Sequence, residues 1–538
     1  MKRIHAISLS TLSGLLLAAA WPANGFVYLL FVALLPLFYV EQQFYENPSK
    51  RPRIQLFGFS YLTFFVWNAL TTFWVSYSTL FGGIMAVLLN AFFMTIVFYV
   101  YHVSRALTYN RSGQFILLFY WIAWEYFHLD WDLSWPWLNL GNGFSAFPQL
   151  IQWYEYTGVL GGTAWIITIN ILISRTLYYY FQEGPSREIL ANGIITLILL
   201  AGPVLFSQNL YKNYQETDNP VEMVVVQPNN DPYTEQYKRS PEEVLQHIFE
   251  LAEKKSDSTT RLIVAPESAI QEKPLYENHL ERGKSIRILK DYISRNPDKA
   301  IVIGASTYYV FDEDEEIPLS ARPFSNSDRY YNAYNTAIYM DDTTDIQLYH
   351  KSKLTPGVEK MPFKSLFKHI ENFAIDLGGT VGTLGTDPER IPFTTSSKEK
   401  IAPIICYESI YGEFCTRFVH NGATAFLIIT NDGWWGNTPG HRQHLQFATL
   451  RAIESRRSIA RSANTGISAF INQRGDILKA TKYWEEDVIK HKLNTNSAIT
   501  FYVKHGDYFG RIAVFGTVML LLITITSAII KRNKKILR

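Results

Sequence analysis

The chain carries two cysteines, Cys406 and Cys415. Cys406 closes the apolar run Ile401–Ile405 and stands directly before Tyr407-Glu408-Ser409. Alone, a cysteine in such a run packs as a small buried hydrophobe. Two further residues at comparable positions change that reading. Glu267 follows Leu262–Ala265 and Pro266, and Lys351 follows Ile346–Tyr349 and His350. A thiol attacks only as its thiolate, so a base has to take its proton. A carboxylate does this when burial raises its pKa. An ammonium stabilises the oxyanion formed as an acyl carbon turns tetrahedral, and its charge also favours the thiolate. Singly, Glu267 reads as a helix-start charge and Lys351 as a surface charge; together with Cys406 they read as covalent chemistry on sulfur. A Cys406–Cys415 disulfide is disfavoured, because few stable domains need one staple across a short loop. His441 and His444 are close in sequence but lack a further metal-spaced pattern. We read a hydrogen-bonding role for them, and expect neither a metal nor an organic cofactor.

Three such residues converge only if the elements before them are neighbouring strands. Met223–Val226, Leu262–Ala265, Ile301–Gly304, Ala337–Met340, Ile401–Ile405 and Ala425–Thr430 read as strands, near-continuously apolar and so buried on both faces. Helical stretches lie between several of them, at Ser240–Lys254, opened by Pro241 and Glu242-Glu243, and at Gly283–Ser294. This alternation predicts a layered α/β domain, and strand ends are where such domains carry chemistry. The acidic stretch within Phe311–Arg329 reads as a solvated insertion.

The rest of the chain is different in kind. Residues 1–210 are dense in apolar and aromatic side chains, 211–507 have a soluble composition, and 508–530 turn apolar again. A bilayer-spanning helix needs roughly 20 mostly apolar residues. Eight stretches qualify, near 5–21, 25–41, 55–78, 82–107, 113–129, 158–181, 188–208 and 508–530. The first also has features of a cleaved signal peptide, but six more apolar segments follow it before residue 211, so we read a retained span. We expect three parts: a helical membrane bundle over 1–210, a catalytic domain over 211–507, and a last span with a basic tail over 508–538.

Lys and Arg collect in alternate loops, at Lys2 and Arg3, Lys50, Arg51 and Arg53, Arg105 and Arg111, Arg175 and Arg187, and in the tail from Lys531. Such loops face the cytoplasm, which puts both termini there and 211–507 on the far side, the periplasm of a bacterium. The far-side segment 130–156 holds Trp131, Trp135, Trp137, Trp153, Tyr154 and Tyr156, and suits an interfacial anchor or a flap at the lipid surface. Net charge is +2, and nothing suggests a nucleic-acid partner.

The Glu267, Lys351 and Cys406-Tyr407-Glu408 pattern resembles the nitrilase, or carbon–nitrogen hydrolase, superfamily. With seven spans before the domain and one after it, the chain is similar to the bacterial apolipoprotein N-acyltransferase family. Trp135-Pro136-Trp137-Leu138, Asn431-Asp432-Gly433-Trp434-Trp435-Gly436, Gln443-His444 through Glu454, and Arg461 to Ser468 also match. The resemblance implies an αββα sandwich with Glu267 as base, Lys351 as oxyanion stabiliser and Cys406 as nucleophile. It also implies supporting roles for Glu359, Tyr407 and Glu408. Trp137, Tyr237, Trp434 and Trp435 are candidates for lipid contact, and Tyr237 stands where a family tryptophan lies. The loop Leu354-Thr355-Pro356-Gly357-Val358-Glu359 departs from the family's usual sequence but keeps Glu359 eight residues from Lys351. The implied reaction moves an acyl chain from a membrane phospholipid, through a cysteine thioester, to the N-terminal amine of diacylglyceryl-cysteine on an apolipoprotein, in the last step of lipoprotein maturation. The implied place is the bacterial inner membrane, and a monomer is the default. Alternatives are a membrane-tethered amidase or nitrilase acting on a small soluble substrate, a transporter with a receptor domain, and an inactive scaffold.

Overall fold

The computed structural model describes residues 1–23, 25–47, 53–108, 113–236, 238–343, 345–363 and 383–536. It divides into two compact units, one of Met1–Ser76, Leu80–Asn213 and His505–Arg538, the other of Tyr77–Thr79 and Tyr214–Lys504.

In the first unit each of the eight apolar stretches carries a helix. Five helical segments among the described residues are long and apolar enough to cross a bilayer: Val27–Glu46, Leu80–Thr108, Tyr154–Glu183, Arg187–Asn213 and Tyr508–Lys534. The expected total of eight spans is therefore not reached on length and hydropathy. Arg3–Ala19 has 17 residues and Ile116–Phe127 has 12, while Arg53–Thr72 buries Ser60, Thr63, Asn68, Thr71 and Thr72, which lowers its hydropathy. Leu190, Ile194, Leu197 and Ile198 on Arg187–Asn213 are exposed, as are Ile512, Phe515, Val518 and Leu522 on Tyr508–Ile536. Apolar helix surface of this extent suits lipid rather than water.

Two buried carboxylates organise this bundle. Glu41 bonds His102 Nδ1 at 2.7 Å and pairs with Arg105, so Arg105, read from sequence as a loop charge, is a bundle residue. Lys50, Arg51 and Arg111 lie outside the described residues. Glu125 accepts bonds from Trp121 Nε1 at 3.0 Å, Leu140 N at 2.8 Å and Thr163 Oγ1 at 2.6 Å. It thereby ties down the aromatic segment, which folds into short 3-10 turns at Pro136–Leu138, Leu140–Phe144 and Pro148–Leu150.

In the second unit the described residues form thirteen strands: β1 (Pro220–Gln227), β2 (Leu262–Val264), β3 (Ala300–Val310), β4 (Arg322–Pro323), β5 (Tyr330–Met340), β6 (Gln347–His350), β7 (Phe393–Thr394), β8 (Lys400–Ile405), β9 (Ala425–Thr430), β10 (Ser458–Ala463), β11 (Ala469–Ile471), β12 (Ile477–Ala480) and β13 (Asp487–Asn494). One sheet runs β13-β1-β2-β3-β5-β4, with β6 also on β5; the other runs β12-β11-β10-β9-β8-β7. Parallel cores set the register: Val224 pairs Ile263 and Ile263 pairs Ile301 in the first sheet, and Ile404 pairs Ile428 and Leu427 pairs Ala460 in the second.

Helices Pro241–Glu253 and Lys284–Arg295 bury Val244, Leu245, Ile248, Ile286 and Leu289 against Val224, Val226, Ile263, Ile301 and Ile303 of the first sheet. The first begins with a reciprocal cap, Ser240 N donating to Glu243 Oε2 at 3.0 Å and Glu243 N to Ser240 Oγ at 3.3 Å. Helices Gly412–His420 and Pro439–Ser455 pack on the second sheet, and β10 faces β1 and β2 of the first. The layers are helix, sheet, sheet, helix. The acidic stretch Asp312–Glu316 is mostly exposed, as its charge leads one to expect.

Candidate active site

Glu267, Lys351 and Cys406 each follow a strand: β2, β6 and β8. Glu267 comes down from β2 on a tight turn, with Ser268 left-handed at φ 54. Gly304 of β3 permits that turn, since a Cβ there would lie 2.6 Å from the Glu267 Cα. Lys351 continues β6, and its N–H donates to Asn335 O of β5 at 2.8 Å. Cys406 leaves β8 with φ 48 and begins the turn Cys406–Ile410.

The first two residues meet. Lys351 Nζ lies 3.1 Å from Glu267 Oε1 and 2.9 Å from Glu359 Oε1. Asn335 Nδ2 bridges the same carboxylates at 2.7 and 3.0 Å, and Asn431 N donates to Glu267 Oε2 at 3.0 Å. Glu267 exposes 6% of its surface and Lys351 2%, so neither is the solvated charge that each suggests alone. Burial opposes the charge on Lys351, but Glu267 and Glu359 outweigh it and hold the ammonium well above its ordinary pKa. Burial likewise works against the Glu359 charge, and Lys351 with the Thr355 amide brings that carboxyl below its ordinary value.

Cys406 feels both groups. Burial pushes its thiol well up, the Glu267 charge pushes it further, and Lys351 works the other way. A thiol raised in this way needs a base to react, and its residue keeps part of its surface accessible. Cys415 is free and buried in the Gly412–His420 helix, its Sγ donating to Glu408 O at 3.7 Å; burial pushes its thiol up, against the pull of Arg451.

Glu408 is fully buried as a framework carboxylate. It accepts bonds from Ile405 N at 2.8 Å, Ser352 N at 2.6 Å and the Tyr349 hydroxyl at 2.7 Å, and so ties the end of β8 to the end of β6. Tyr407 is buried, its ring edge-on to Tyr411. Trp434 and Trp435 are half-buried on the turn after β9; Trp434 meets Tyr233 edge-on at 5.2 Å, and Tyr233 Oη donates to Trp434 O at 2.7 Å. Trp137 is buried inside the helical unit, against Trp74 and Trp135. Tyr237 lies outside the described residues.

Beneath Cys406 lies a group whose roles the sequence did not reveal. Asp432 Oδ1 is 3.0 Å from His444 Nδ1, and Asp432 Oδ2 accepts from Arg461 Nη2 at 2.5 Å. His444 Nε2 is 3.2 Å from Cys406 O and 2.9 Å from Ser409 Oγ. The Cys406 sulfur, an Asp432 oxygen and a His444 nitrogen fall within 4.8 Å of one another. Arg461 already neutralises Asp432, so the trio reads as a hydrogen-bonded support rather than a cation site. His441 stacks on Tyr483 at 3.8 Å. A hydrogen-bonding role for His444 was legible in the sequence, and all three residues fall in stretches matching the family; their partnership arises from β9, β10 and the Pro439–Ser455 helix.

A buried carboxylate–ammonium–carboxylate cluster stands beside a cysteine, with Glu267, Lys351 and Cys406 at strand ends of a two-sheet sandwich. The carbon–nitrogen hydrolase family model matches residues 225–501, and the apolipoprotein N-acyltransferase N-terminal domain model matches 13–172. The chain belongs to the carbon–nitrogen hydrolase family, and its N-terminal part is the domain found in apolipoprotein N-acyltransferases. Proteins named apolipoprotein N-acyltransferase are similar over nearly the full length. The one from Chlorobaculum tepidum is 29% identical over 93% of this chain and 92% of its own. That from Geobacter metallireducens is 24% identical over 94% and 93%, and that from Haemophilus influenzae 24% identical over 100% and 98%.

Proposed function

We propose that this membrane enzyme N-acylates lipoproteins, taking a fatty acyl chain from a phospholipid through a thioester on Cys406. The observation that carries the reading is Lys351 held between Glu267 and Glu359, with Cys406 close enough to feel both Glu267 and Lys351. Glu267 takes the thiol proton, and the sulfur attacks the ester carbonyl. The Lys351 ammonium and the Tyr407 N–H receive the oxyanion. Collapse breaks the ester C–O bond; the lysophospholipid oxygen leaves with the proton from Glu267, and the acyl group stays on sulfur. In the second half the free amine of a diacylglyceryl-cysteine N-terminus attacks the thioester. Glu267 takes a proton from that nitrogen and returns it to Cys406 as the C–S bond breaks, leaving the amide. Two half-reactions on one nucleophile give ping-pong kinetics. Trp434 and Trp435 supply apolar cover that keeps water from the thioester. Residues 211–507 work at the periplasmic face of a bacterial inner membrane, between the helical bundle 1–210 and the last span with its tail, 508–538, and both termini are cytoplasmic.

The test is an acyl adduct. Purified enzyme incubated with phospholipid is expected to carry a hydroxylamine-sensitive acyl group on Cys406, and Cys406→Ala to lose both adduct and transfer. Transfer by Cys406→Ala would overturn the mechanism. Activity on a short amide in lipid-free detergent, without lipid transfer, would favour a soluble-substrate amidase.

A further inference from the structure

The support beneath Cys406 acts on a specific atom. Cys406 O accepts from Ser409 Oγ at 2.7 Å and faces His444 Nε2 at 3.2 Å. A carbonyl oxygen is an acceptor only, so His444 Nε2 carries the hydrogen. The other edge of the ring is fixed: Nδ1 lies 3.0 Å from Asp432 Oδ1 and 3.1 Å from Arg461 Nη2. Thr430 Oγ1 donates to Asp432 Oδ1 at 2.6 Å, and Arg461 Nη2 holds Asp432 Oδ2. Trp435 packs edge-on against the ring at 5.5 Å. His444, Asp432 and Arg461 are all essentially inaccessible. This rigid assembly ends on one peptide group.

That peptide joins Cys406 to Tyr407 and is not among the cis bonds of the chain. A trans peptide is planar, with C=O and N–H pointing in opposite directions. Whatever aims the Cys406 carbonyl therefore also aims the Tyr407 N–H. The need for aim is real, because Cys406 is left-handed at φ 48, a conformation that a non-glycine residue keeps only when its surroundings impose it. Donors on the carbonyl also polarise the amide and strengthen its N–H as a donor.

We propose that His444, braced by Asp432 and Arg461, is a positioning residue that sets the Cys406–Tyr407 peptide plane so that the Tyr407 N–H meets the oxyanion of the acyl-transfer intermediate. The inference rests on Cys406 being the nucleophile. His444 acts on the peptide and not on the sulfur, which separates two reactions of the same thiol. Acylation passes through an oxyanion. Alkylation by iodoacetamide does not: the S–C bond forms as the C–I bond breaks and iodide departs.

The experiment compares both reactions in the full-length enzyme. His444→Ala is expected to slow adduct formation from phospholipid roughly 10- to 100-fold, the scale of a misaimed group, and to leave iodoacetamide alkylation of Cys406 within about 3-fold, since no oxyanion donor is used there. Ser409→Ala removes the other donor to the same carbonyl and is expected to show the same selective loss, smaller in size. In the double variant the losses are expected to combine less than multiplicatively. Parallel loss of both reactions would place His444 on the thiol or on folding and overturn the proposal; no loss of acylation would overturn it equally. Should His444→Ala fail to accumulate, His444→Gln and Ser409→Ala carry the same comparison. If the wild-type enzyme forms no adduct on Cys406, it is the nucleophile assignment that fails.

Discussion

One ammonium facing two carboxylates leaves a net negative charge beside the sulfur. Lys351 shares itself between Glu267 and Glu359, and the two carboxylates hold the lysine charged. Glu267 then has two separable effects. Its charge raises the Cys406 pKa, and in the proposed mechanism its oxygen removes the Cys406 proton during attack. Glu267→Gln is therefore expected to move the pH midpoint of Cys406 alkylation down while adduct formation from phospholipid is lost. Lys351→Met is expected to move that midpoint up, because the lysine charge lowers it. Alkylation followed against pH checks both signs; equal midpoints in all three proteins would remove these groups from the thiol's surroundings.

His350 acts one level up, as a clip between elements. It ends β6 directly before Lys351, and its Nδ1 lies 2.7 Å from Asp387 Oδ1 while its Nε2 lies 2.8 Å from Glu277 Oε1. The ring stacks on Tyr334 of β5 at 4.0 Å, and its backbone N–H donates to Asp387 Oδ2 at 2.7 Å. Burial works against an imidazolium here, but Asp387 and Glu277 outweigh it and raise its pKa to about 9. A raised value means the folded state binds the proton more tightly than the unfolded chain does. The stabilisation is complete below the ordinary histidine value, about 6.5, and is lost as pH rises through about 9. Its full size is on the order of 3 kcal/mol. The wild-type melting temperature is expected to fall between neutral pH and pH ~9.5, and His350→Asn to flatten that fall while lowering the value at neutral pH. A variant with the wild-type slope would assign the pH dependence to other groups.

For the molecule as a whole, the proposed topology has the chain return through the membrane after residue 507, leaving the catalytic unit on the far side. Single cysteines, placed in a chain with Cys406 and Cys415 replaced by Ala, report this directly. Ser325 and Ser186 are exposed, the first after β4 in the catalytic unit and the second just before the Arg187–Asn213 helix. In cells with a permeabilised outer membrane, Ser325→Cys is expected to react with an impermeant maleimide, and Ser186→Cys to react only after the inner membrane is opened. The reverse pattern would invert the topology.

The local sequence was enough for features that depend on local chemistry. Apolar runs marked Met223–Val226 and Ile401–Ile405 as strands because a strand buried on both faces has to be apolar throughout, and long apolar helices announced a membrane part for the same reason. Glu267, Lys351 and Cys406 were legible as candidates because each stands within two residues of the end of a strand-like run. Features that depend on pairing at a distance were not. β10, with Ser458, Arg461 and Ser462, lacks an apolar run and is nevertheless wholly buried, because Asp432 waits for Arg461 and Val226 O accepts from Ser462 Oγ at 2.8 Å. Arg105 looked like a loop charge until Glu41 was found beside it, and Trp137 looked like a lipid contact until Trp74 and Trp135 closed around it. A residue's type states which partners it requires; only the fold decides whether water, lipid or another part of the chain supplies them.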